Sequence, residues 1–588
     1  YASFLLGAVN SSSTSVNSFT ETGSRFHPIS PYVQDDWKLT PRLTMNLGLR
    51  WDYMPSYREV LDRWSYLNTG ATNPLTSSPG ELEFAGNRGS DISCQCRTPV
   101  PTWKKNFGPR LGLEYAPTDR TVVRAGYAIA YSHAGGVGGR GSGGPSTLGF
   151  TSSIVLPSAS TTGASAGPSY YLNNSAAFQT AGAANTNFGG AGYSIPAPSQ
   201  PSAASLTLDT GNYVVNGKAV TPGGAPAFVD PYLASRAPMF EFYNFGVQQA
   251  LTKDMTFTIN YSGSQSHFVA GATVPGYWSG QLDPSYLVAL GSTLASDNAT
   301  NILSGIATPA NLAIAQNADR NVTVPYAGYA AAGALNLSTA TVGRMVRPFP
   351  QYSSPPTSTY ANIANISYNA LEITLKQRAS KGINFTLNYT WSRNIGDDGT
   401  SRTAFAVPAS ASSSGVSIPG NNRADRDIVT TDLTHNMNVY GVFKSPFGKD
   451  KFGSKNWAAR NLLGGWDLSE IFTARSGTPI YITASGCTNP SGGTCMPDLI
   501  PGKQLRKNGA YGSVNHTYTG FSQTSYLDGT AFALPNTFPL PAGAKSNAVA
   551  VSKIGTAPRY LGLRNPVSWN LDAAVSRTFP IVGDRLKF

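Results

Sequence analysis

Long hydrophobic runs are missing from this sequence. No stretch approaches the roughly 18 to 20 consecutive apolar residues that a membrane-spanning helix needs, which excludes a helical membrane protein. Charged residues are also scarce, at 13% of 588 residues, and a chain of this length exceeds one ordinary compact core. Together these two properties argue against a typical soluble enzyme.

Motifs of catalytic and nucleotide-binding sites are missing as well. The chain has no phosphate-binding loop of the Walker type, no HExxH zinc motif and no GxSxG nucleophile elbow. Gly136, Gly138 and Gly141 have the spacing of a dinucleotide-binding GxGxxG loop, but the sequence SGGPS follows where a helix should begin. We therefore expect no catalytic residues and no cofactor.

Alternation of apolar and polar residues is the most informative feature that is present. Residues 42–51, 255–262 and 383–392 each follow a period of two, which is the period of a β-strand. The apolar sides of these strands carry Leu43, Met45, Leu47, Leu49 and Trp51, then Met255, Phe257, Ile259 and Tyr261, then Ile383, Phe385, Leu387, Tyr389 and Trp391. Aromatic residues recur near the strand ends, where the interfacial girdles of a membrane barrel lie.

Six hairpins with short polar turns are predicted, and long segments separate them. The hairpins pair 26–37 with 42–53, 107–116 with 120–132, 241–251 with 254–265, 367–379 with 382–394, 433–445 with 464–475, and 567–578 with a strand beginning near Asp584. The long segments are 54–106, 133–240, 266–366, 395–432 and 476–566. Within them, 284–294 and 309–316 are predicted short helices, and 479–483 is a predicted strand extension.

Short and long connections alternate, so all the long ones lie at one end of the strands. Strands of about ten residues that have one apolar face and form antiparallel hairpins are typical of one all-β fold. This fold is the large antiparallel transmembrane β-barrel. In this class, short turns face the periplasm and long loops face the outside of the cell. The six hairpins predict about twelve strands.

The net charge of +12 is distributed over strands, turns and loops without any run of five or six basic residues. This distribution argues against nucleic-acid binding. Basic residues near the turns and rims of a barrel meet anionic lipid head groups or line a polar lumen. Outer-membrane lipid is therefore the expected partner of the barrel wall.

Four charged residues fall on the polar faces of well-patterned strands. Arg50, Arg124, Glu372 and Lys376 would each cost about 2 to 4 kcal/mol if they faced lipid near the midplane, so they are predicted to face the lumen. They either form a surface for an internal plug or a solute, or form an ion-pair network that only stabilises the wall. The sequence favours neither alternative.

The four cysteines form two local pairs in loops rich in Gly, Pro, Ser or Thr. Local pairs in an exported chain indicate disulfides. A bond between Cys487 and Cys495 closes easily, whereas the ring from Cys94 to Cys96 is short and a bond there would be strained. No His or further Cys lies at zinc-ligand spacing from either pair, so a zinc site is not expected.

Asp397 and Asp398 are the candidate metal ligands of the chain. Adjacent carboxylates in a loop can bind calcium together with loop carbonyls. A solvated turn is the simpler interpretation of the sequence NIGDDG.

Several blocks of sequence resemble one known family. The blocks are YVQDDWKLTPRLTMNLGLRWDY at 32–53, FGPRLGLEYAPTDRTVVRAGYAIAYS at 107–132, RPFPQY at 347–352, YNALEITLKQRASKGINFTLNYTWSRNIGDD at 368–398, LLGGWDLSEIFTARSGTPI at 462–480 and NLDAAVSRTFPI at 570–581. They are similar, in this order, to the barrel of Oar-like TonB-dependent outer-membrane transporters.

This resemblance implies a 22-stranded barrel that is filled by an N-terminal plug and energised through a periplasmic TonB complex. Residues 1–588 would then be a barrel domain that is incomplete at both ends, without plug or TonB box. The implied function is binding of a ligand by the extracellular loops and its passage through the lumen, in the bacterial outer membrane.

The alternatives are a passive porin, a surface adhesin built on a barrel and, from another class, an outer-membrane hydrolase. The ligand class is open among siderophore, glycan, peptide and exported protein.

Overall fold

A computed structural model of the chain gives the fold. It describes residues 22–73, 77–87, 93–133, 146–150, 234–269, 306–318, 322–334, 340–346, 364–380, 382–397, 426–447, 455–482, 497–507, 526–536 and 560–577, together with a few shorter segments before, between and after them. The statements that follow concern these parts of the chain.

One large antiparallel sheet dominates the structure. Eleven strands form its continuous path, and each pairs with the next strand along the chain. They are β1 (Tyr32–Thr40), β2 (Leu43–Trp51), β3 (Phe107–Thr118), β4 (Thr121–Tyr131), β5 (Met239–Ala250), β6 (Met255–Val269), β7 (Ala364–Ser380), β8 (Ile383–Gly396), β9 (His435–Lys444), β10 (Trp466–Arg475) and β11 (Ser568–Arg577). The strand Asp427–Ile428 adds a short pairing beside β8 and brings the sheet to twelve strands.

Helices are few and short. They are α1 (Pro309–Ala318), α2 (Ala327–Ala334), α3 (Val342–Met345) and α4 (Trp457–Asn461), with one 3-10 turn at Gly529–Ala531. Helix α1 confirms the helix predicted at 309–316, whereas 284–294 lies outside the described residues. None of the described helices has the length and apolarity to cross a membrane.

Outside the large sheet, the strands are short. They are Ala8–Val9, Thr14–Asn17, Ser24–Arg25, Arg58–Glu59, Ser65–Thr72, Pro79–Phe84, Ser153–Leu156, Tyr170–Tyr171, Val214–Val215, Lys218–Ala219, Ala227–Phe228, Thr357–Ser358, Asp498–Leu499, Phe532–Ala533, Pro580–Val582 and Leu586–Lys587. The strand extension predicted at 479–483 is wrong, because Pro479 makes only an isolated bridge to Arg564.

Tight turns join the strands at one end of the sheet, as the sequence predicts. Only residues 41–42, 119–120, 251–254 and 381–382 separate the first four pairs of strands. Gly382 has a φ of +87°, a conformation that favours glycine, and a Cβ atom there would lie 2.9 Å from the carbonyl oxygen of Lys444. Arg42 and Asp119 form an ion pair of 3.1 Å between two neighbouring turns.

The register of the strands divides the sheet into an apolar and a polar face. One row of directly paired residues on the apolar face is Trp37, Met45, Leu113, Ala125, Phe245, Tyr261, Leu371 and Trp391. A second row on the same face is Phe257, Leu375, Leu387, Val439, Phe472 and Leu571. Because side chains alternate along a strand, Leu43, Leu47, Phe257, Ile259, Phe385 and Leu387 all lie on this face, as predicted.

No protein core covers the apolar face. Among the buried apolar residues of the described chain, only Ala364 and Ala370 belong to the eleven strands. Large side chains such as Phe245, Trp391 and Leu571 are exposed on it. An apolar surface of this extent is not stable in water, so the face requires lipid.

The two outermost strands, β1 and β11, each pair on one side only among the described strands. Nearly all of their residues are exposed. Since all ten pairings along the path are antiparallel, β1 and β11 run in the same direction. They therefore cannot pair with each other in an antiparallel manner.

The sixth predicted hairpin is wrong in its second strand. Five predicted hairpins are present, and β11 matches the first strand of the sixth. Leu586–Lys587, however, pairs with Pro580–Val582 and not with β11. The twelfth strand of the sheet is instead Asp427–Ile428, which comes from a predicted loop.

The two faces of β7 predict opposite responses to a charge. Ile373 lies on the apolar face between Ile259 and Tyr389, and its neighbour Thr374 lies on the polar face. We expect Ile373→Arg to lower the free energy of unfolding in lipid vesicles by about 2 to 4 kcal/mol, because it places a charge in lipid near mid-strand. Thr374→Arg is the matched control and should be near neutral in a urea titration. Equal costs at both positions would contradict the assignment of the faces.

Candidate functional site

The polar face of the sheet carries most of the predicted functional residues. Its central row crosses all eleven strands and consists of Lys38, Thr44, Glu114, Arg124, Gly246, Asn260, Glu372, Thr390, Asn436, Arg475 and Ser568. Arg124 and Glu372 therefore share one row, and Lys376 lies on the same face between Thr256 and Thr386.

Arg124 and Glu372 bond to residues of the wall. The Arg124 guanidinium lies 3.0 Å from Glu114 Oε1 on the paired strand and donates to Gln248 Oε1 at 3.1 Å. Glu372 accepts a hydrogen bond from Asn260 Nδ2 at 2.9 Å. The Arg124–Glu114 pair is half exposed, and such pairs contribute about 0 to 1 kcal/mol to stability. The Arg124 and Glu372 side chains are therefore ordered, but the Arg124–Glu114 pair adds little to the stability of the sheet.

Arg50 lies at the end of β2 that leads into the first long segment. Its Nε atom lies 2.8 Å from Asp52 Oδ1, and Ser30 donates to the same oxygen at 2.6 Å. Asn106 donates to the carbonyl oxygen of Asp52 at 3.1 Å. Arg50 is therefore part of a polar cluster that ties the loop end of β2 to the start of β3. That these four charged residues also contact a plug or a solute stays a prediction.

Cross-strand pairs of asparagine and glycine form a shallow trough on the polar face, and sequence reasoning missed them. Asn46 is opposite Gly112, Asn244 is opposite Gly126, and Gly112 is opposite Gly126. A Cβ atom at Gly126 would lie 2.8 Å from Asn244 Oδ1, so the amide occupies the space that a side chain would fill. A cavity of about 480 Å³ lies along this trough, with Arg110 at its edge.

Two phenylalanines lie on this otherwise polar face. Phe240 and Phe242 stack with ring centroids 6.4 Å apart, and Phe242 is exposed. Their paired neighbours are Ala128 and Ala130 on one side and Ser264 and Ser266 on the other. The rings therefore project above small side chains, where a ligand can contact them. Their spacing of two in the sequence FEF was the available signal.

The long segments contain packed structure beyond the strand ends. In 54–106, Ser65–Thr72 pairs with Pro79–Phe84 in a hairpin. Phe84 of this hairpin packs edge to face against Phe150, which comes from the next long segment, at 5.8 Å between ring centroids. Trp64 is also buried there. The two segments are therefore joined through a common apolar cluster.

Glu59 is a buried carboxylate that organises the first long segment. Its oxygens accept hydrogen bonds from the backbone nitrogens of Gly23, Leu61 and Arg63, and from the Arg63 guanidinium at 2.8 Å. Burial raises the pKa of Glu59, but the bonds from Arg63 and from the three backbone donors outweigh it and lower the pKa to about 2. The carboxylate is therefore ionised and structural.

Asp432 and Arg564 connect the last long segment to the sheet. Asp432 is buried and forms an ion pair with Arg564, which also donates to the carbonyl oxygen of Gly477 at 3.2 Å. Asp432 accepts a further hydrogen bond from the backbone nitrogen of Asn394 in β8 at 2.6 Å. This cluster holds the chain before β11 against the loop ends of β8 and β10.

The remaining candidate residues have structural positions or lie outside the described chain. Asp397 is buried, and its carboxylate accepts hydrogen bonds from the backbone and side-chain nitrogens of Asn365, so the expectation of a solvated side chain is wrong for Asp397. Asp398, Cys487 and Cys495 lie outside the described residues. Cys94 and Cys96 form a disulfide. No cluster of three metal-ligating side chains occurs in the described chain.

Comparison with known families agrees with this architecture. The model of the family described as "Outer membrane beta barrel domain" matches residues 1–588. The chain belongs to this family. Its location is the bacterial outer membrane. No curated protein matches the sequence.

Similar solved structures are outer-membrane receptors of low sequence identity. The alcaligin outer-membrane receptor of Bordetella pertussis is 10% identical, with 77% of this chain and 38% of the receptor covered and a TM-score of 0.24. The ferric yersiniabactin uptake receptor of Yersinia pestis is also 10% identical, with 80% and 36% covered and a TM-score of 0.26. This chain spans about a third of the length of the solved receptors that it matches.

The pKa of Glu59 predicts loss of loop structure in acid. Because its folded pKa of about 2 is below the ordinary value of 4.5, the stabilisation is present above pH 4.5 and is lost as the pH falls from 4.5 towards 2. We expect pepsin cleavage within 54–106, normalised to an unstructured peptide, to rise across this range. Glu59→Gln should raise cleavage at pH 4.5 and flatten the profile. A flat profile in the unmodified protein would contradict this role.

Proposed function

We propose that this outer-membrane barrel is a receptor that binds a ligand with its extracellular loops and passes it through the lumen. We further propose that it is of the Oar-like, TonB-dependent type, with a plug in the full-length protein and energy supplied by the TonB complex. The observation that carries the proposal is the combination of structured long segments at one end with exposed polar, charged and aromatic side chains along the interior face.

The polar face supports binding as well as wall formation. Arg110 and Phe242 lie in the row of paired residues next to the trough of Asn–Gly pairs, and all of them line one cavity across β2 to β5. An interior that only conducted water and ions would not need exposed aromatic rings on a floor of alanine and serine. These groups offer a ligand a cation, amide donors and acceptors, and an apolar contact.

The packed long segments support capture at the outer end. The Phe84–Phe150 cluster and the Asp432–Arg564 pair anchor segments that come from different positions along the chain. Anchored loops present a defined binding surface with a smaller loss of conformational entropy on binding than free loops. This property favours a receptor over a passive pore.

Covalent chemistry is not part of the proposal. The hydrogen bonds of histidine rings in the described chain join His267 to Asn365 and His435 to Tyr389, and neither is a contact between a base and a nucleophile of the hydrolase type. The hydrolase alternative therefore has no supporting geometry in these residues.

Conductance across planar lipid bilayers separates a receptor from a passive porin. We expect the full-length protein to show little steady conductance, because a plug fills the lumen, and to open when mild denaturant unfolds the plug. Heat-dependent mobility in electrophoresis serves as the check that the barrel is folded. Large steady conductance of the untreated protein would contradict the proposal and favour a porin.

The opened channel also tests which arginines line the lumen. Arg124→Gln leaves Glu114 without its cation, so we expect the reversal potential in a salt gradient to shift towards cation selectivity. Arg42→Gln is the matched control, because Arg42 forms a similar exposed ion pair in a turn, with Asp119. Equal shifts for both variants, or none for Arg124→Gln, would contradict a lumenal position for Arg124.

A further inference from the structure

One connection at the short-turn end differs from the others. The first four connections there contain between two and four residues, whereas residues 445–465 separate β9 from β10 and include helix α4. A barrel of this class does not need a long connection on its periplasmic side. The length of this segment therefore requires an explanation. We call its described part, residues 445–447, 452 and 455–465, the foot.

Large apolar side chains of the foot are exposed. The exposed fraction is 77% for Phe452, 67% for Trp457, 55% for Leu462 and 51% for Leu463. Exposure of four large apolar side chains in one short segment is unfavourable in water.

Hydrogen bonds hold the foot in this conformation without covering its apolar side chains. Asn456 Oδ1 caps α4 by accepting from the backbone nitrogens of Ala458 at 3.0 Å and Ala459 at 3.1 Å. Ser445 Oγ donates to the carbonyl oxygen of Leu463. The apolar side chains are thus presented by an organised backbone.

The connection 445–465 is also basic. Its sequence contains Lys449, Lys451, Lys455 and Arg460 against a single acidic residue, Asp450. Basic and large apolar residues that occur together in one short segment are typical of elements that lie in the interface of an anionic membrane.

The apolar surface of the foot continues into the lipid-facing surface of the sheet. Trp466 begins β10 on the apolar face, and its indole nitrogen donates to the carbonyl oxygen of Leu462 at 2.8 Å. The Arg577 guanidinium lies 5.3 Å from the Trp466 ring centroid on the paired strand. A tryptophan with an adjacent arginine is typical of the head-group level. The foot therefore begins at the level where the membrane ends.

We propose that the foot lies in the head-group region of the inner leaflet of the outer membrane and binds anionic phospholipids. Trp457, Leu462 and Leu463 insert at the boundary of the acyl chains, and Lys455 contacts a lipid phosphate. The basic sequence of 445–465 and the continuity of the foot with Trp466 favour a lipid surface over a periplasmic protein as the occupant. The foot thus fixes the depth and tilt of this side of the barrel.

Quenching of tryptophan fluorescence tests the insertion. The full-length protein is reconstituted in phosphatidylcholine vesicles with or without phosphatidylglycerol, using lipids brominated on the acyl chains. The contribution of Trp457 is the difference between the unmodified protein and Trp457→Phe. We expect brominated lipid to quench this contribution at least twofold, and aqueous iodide to quench it weakly.

Two variants test the parts of the proposal separately. Leu462→Ser with Leu463→Ser should expose Trp457 to iodide, and Lys449→Gln, Lys451→Gln and Lys455→Gln together should abolish the extra quenching that phosphatidylglycerol produces. Heat-dependent mobility in electrophoresis checks that each variant barrel is folded. Ready quenching by iodide in the unmodified protein would overturn insertion and indicate a water-exposed surface for a protein partner. Equal quenching in both lipid mixtures would overturn the selection of anionic lipid.

Discussion

Hydrogen bonding between neighbouring strands is the constraint on which this structure depends. No protein core of the described chain covers the apolar face of the eleven strands, so each of their backbone donors and acceptors within a membrane must find its partner in the adjacent strand. This requirement explains the unbroken antiparallel path from β1 to β11 and the short turns that join its pairs. It also makes the outer edges of β1 and β11 places where further pairing is needed, and their common direction requires a strand of opposite direction beside each.

The same constraint determines what could be predicted from the sequence. A strand between lipid and water has a period of two, so β2, β6 and β8 are recognisable from residues such as Leu43, Ile259 and Leu387 alone. Their register follows from the tight turns. The sixth hairpin failed because residues 580–587 are too short to show this period, and a local pairing of Pro580–Val582 with Leu586–Lys587 replaces the longer one. The clusters around Glu59 and Asp432 join residues far apart in the chain and leave no periodic signal.

The proposed function depends on two parts of the molecule, the polar face and the loop end of the sheet. Arg124, Glu372 and Lys376 lie on the polar face as predicted, because the face that a side chain occupies depends only on its position along its own strand. The trough of Asn46, Gly112, Gly126 and Asn244 depends on which residues of neighbouring strands pair with each other. This pairing is known only once the register of the strands is known. At the loop end, the contact of Phe84 with Phe150 and the ion pair of Asp432 with Arg564 convert separate segments into an anchored surface. The exposed polar face and the anchored outer end are the basis of the proposal that the protein is a receptor.

A scan of spin labels along β8 tests the central claim most directly, namely that one sheet separates lipid from an aqueous interior. Each position from Ile383 to Gly396 is replaced in turn by a spin-labelled cysteine, in a protein whose four native cysteines are serine, reconstituted in lipid vesicles. We expect accessibility to oxygen to peak at Phe385, Leu387 and Tyr389, and accessibility to a water-soluble nickel complex to peak at Thr386, Asn388 and Thr390. Both profiles should have a period of two and opposite phase. Profiles in the same phase, or without this period, would contradict the account.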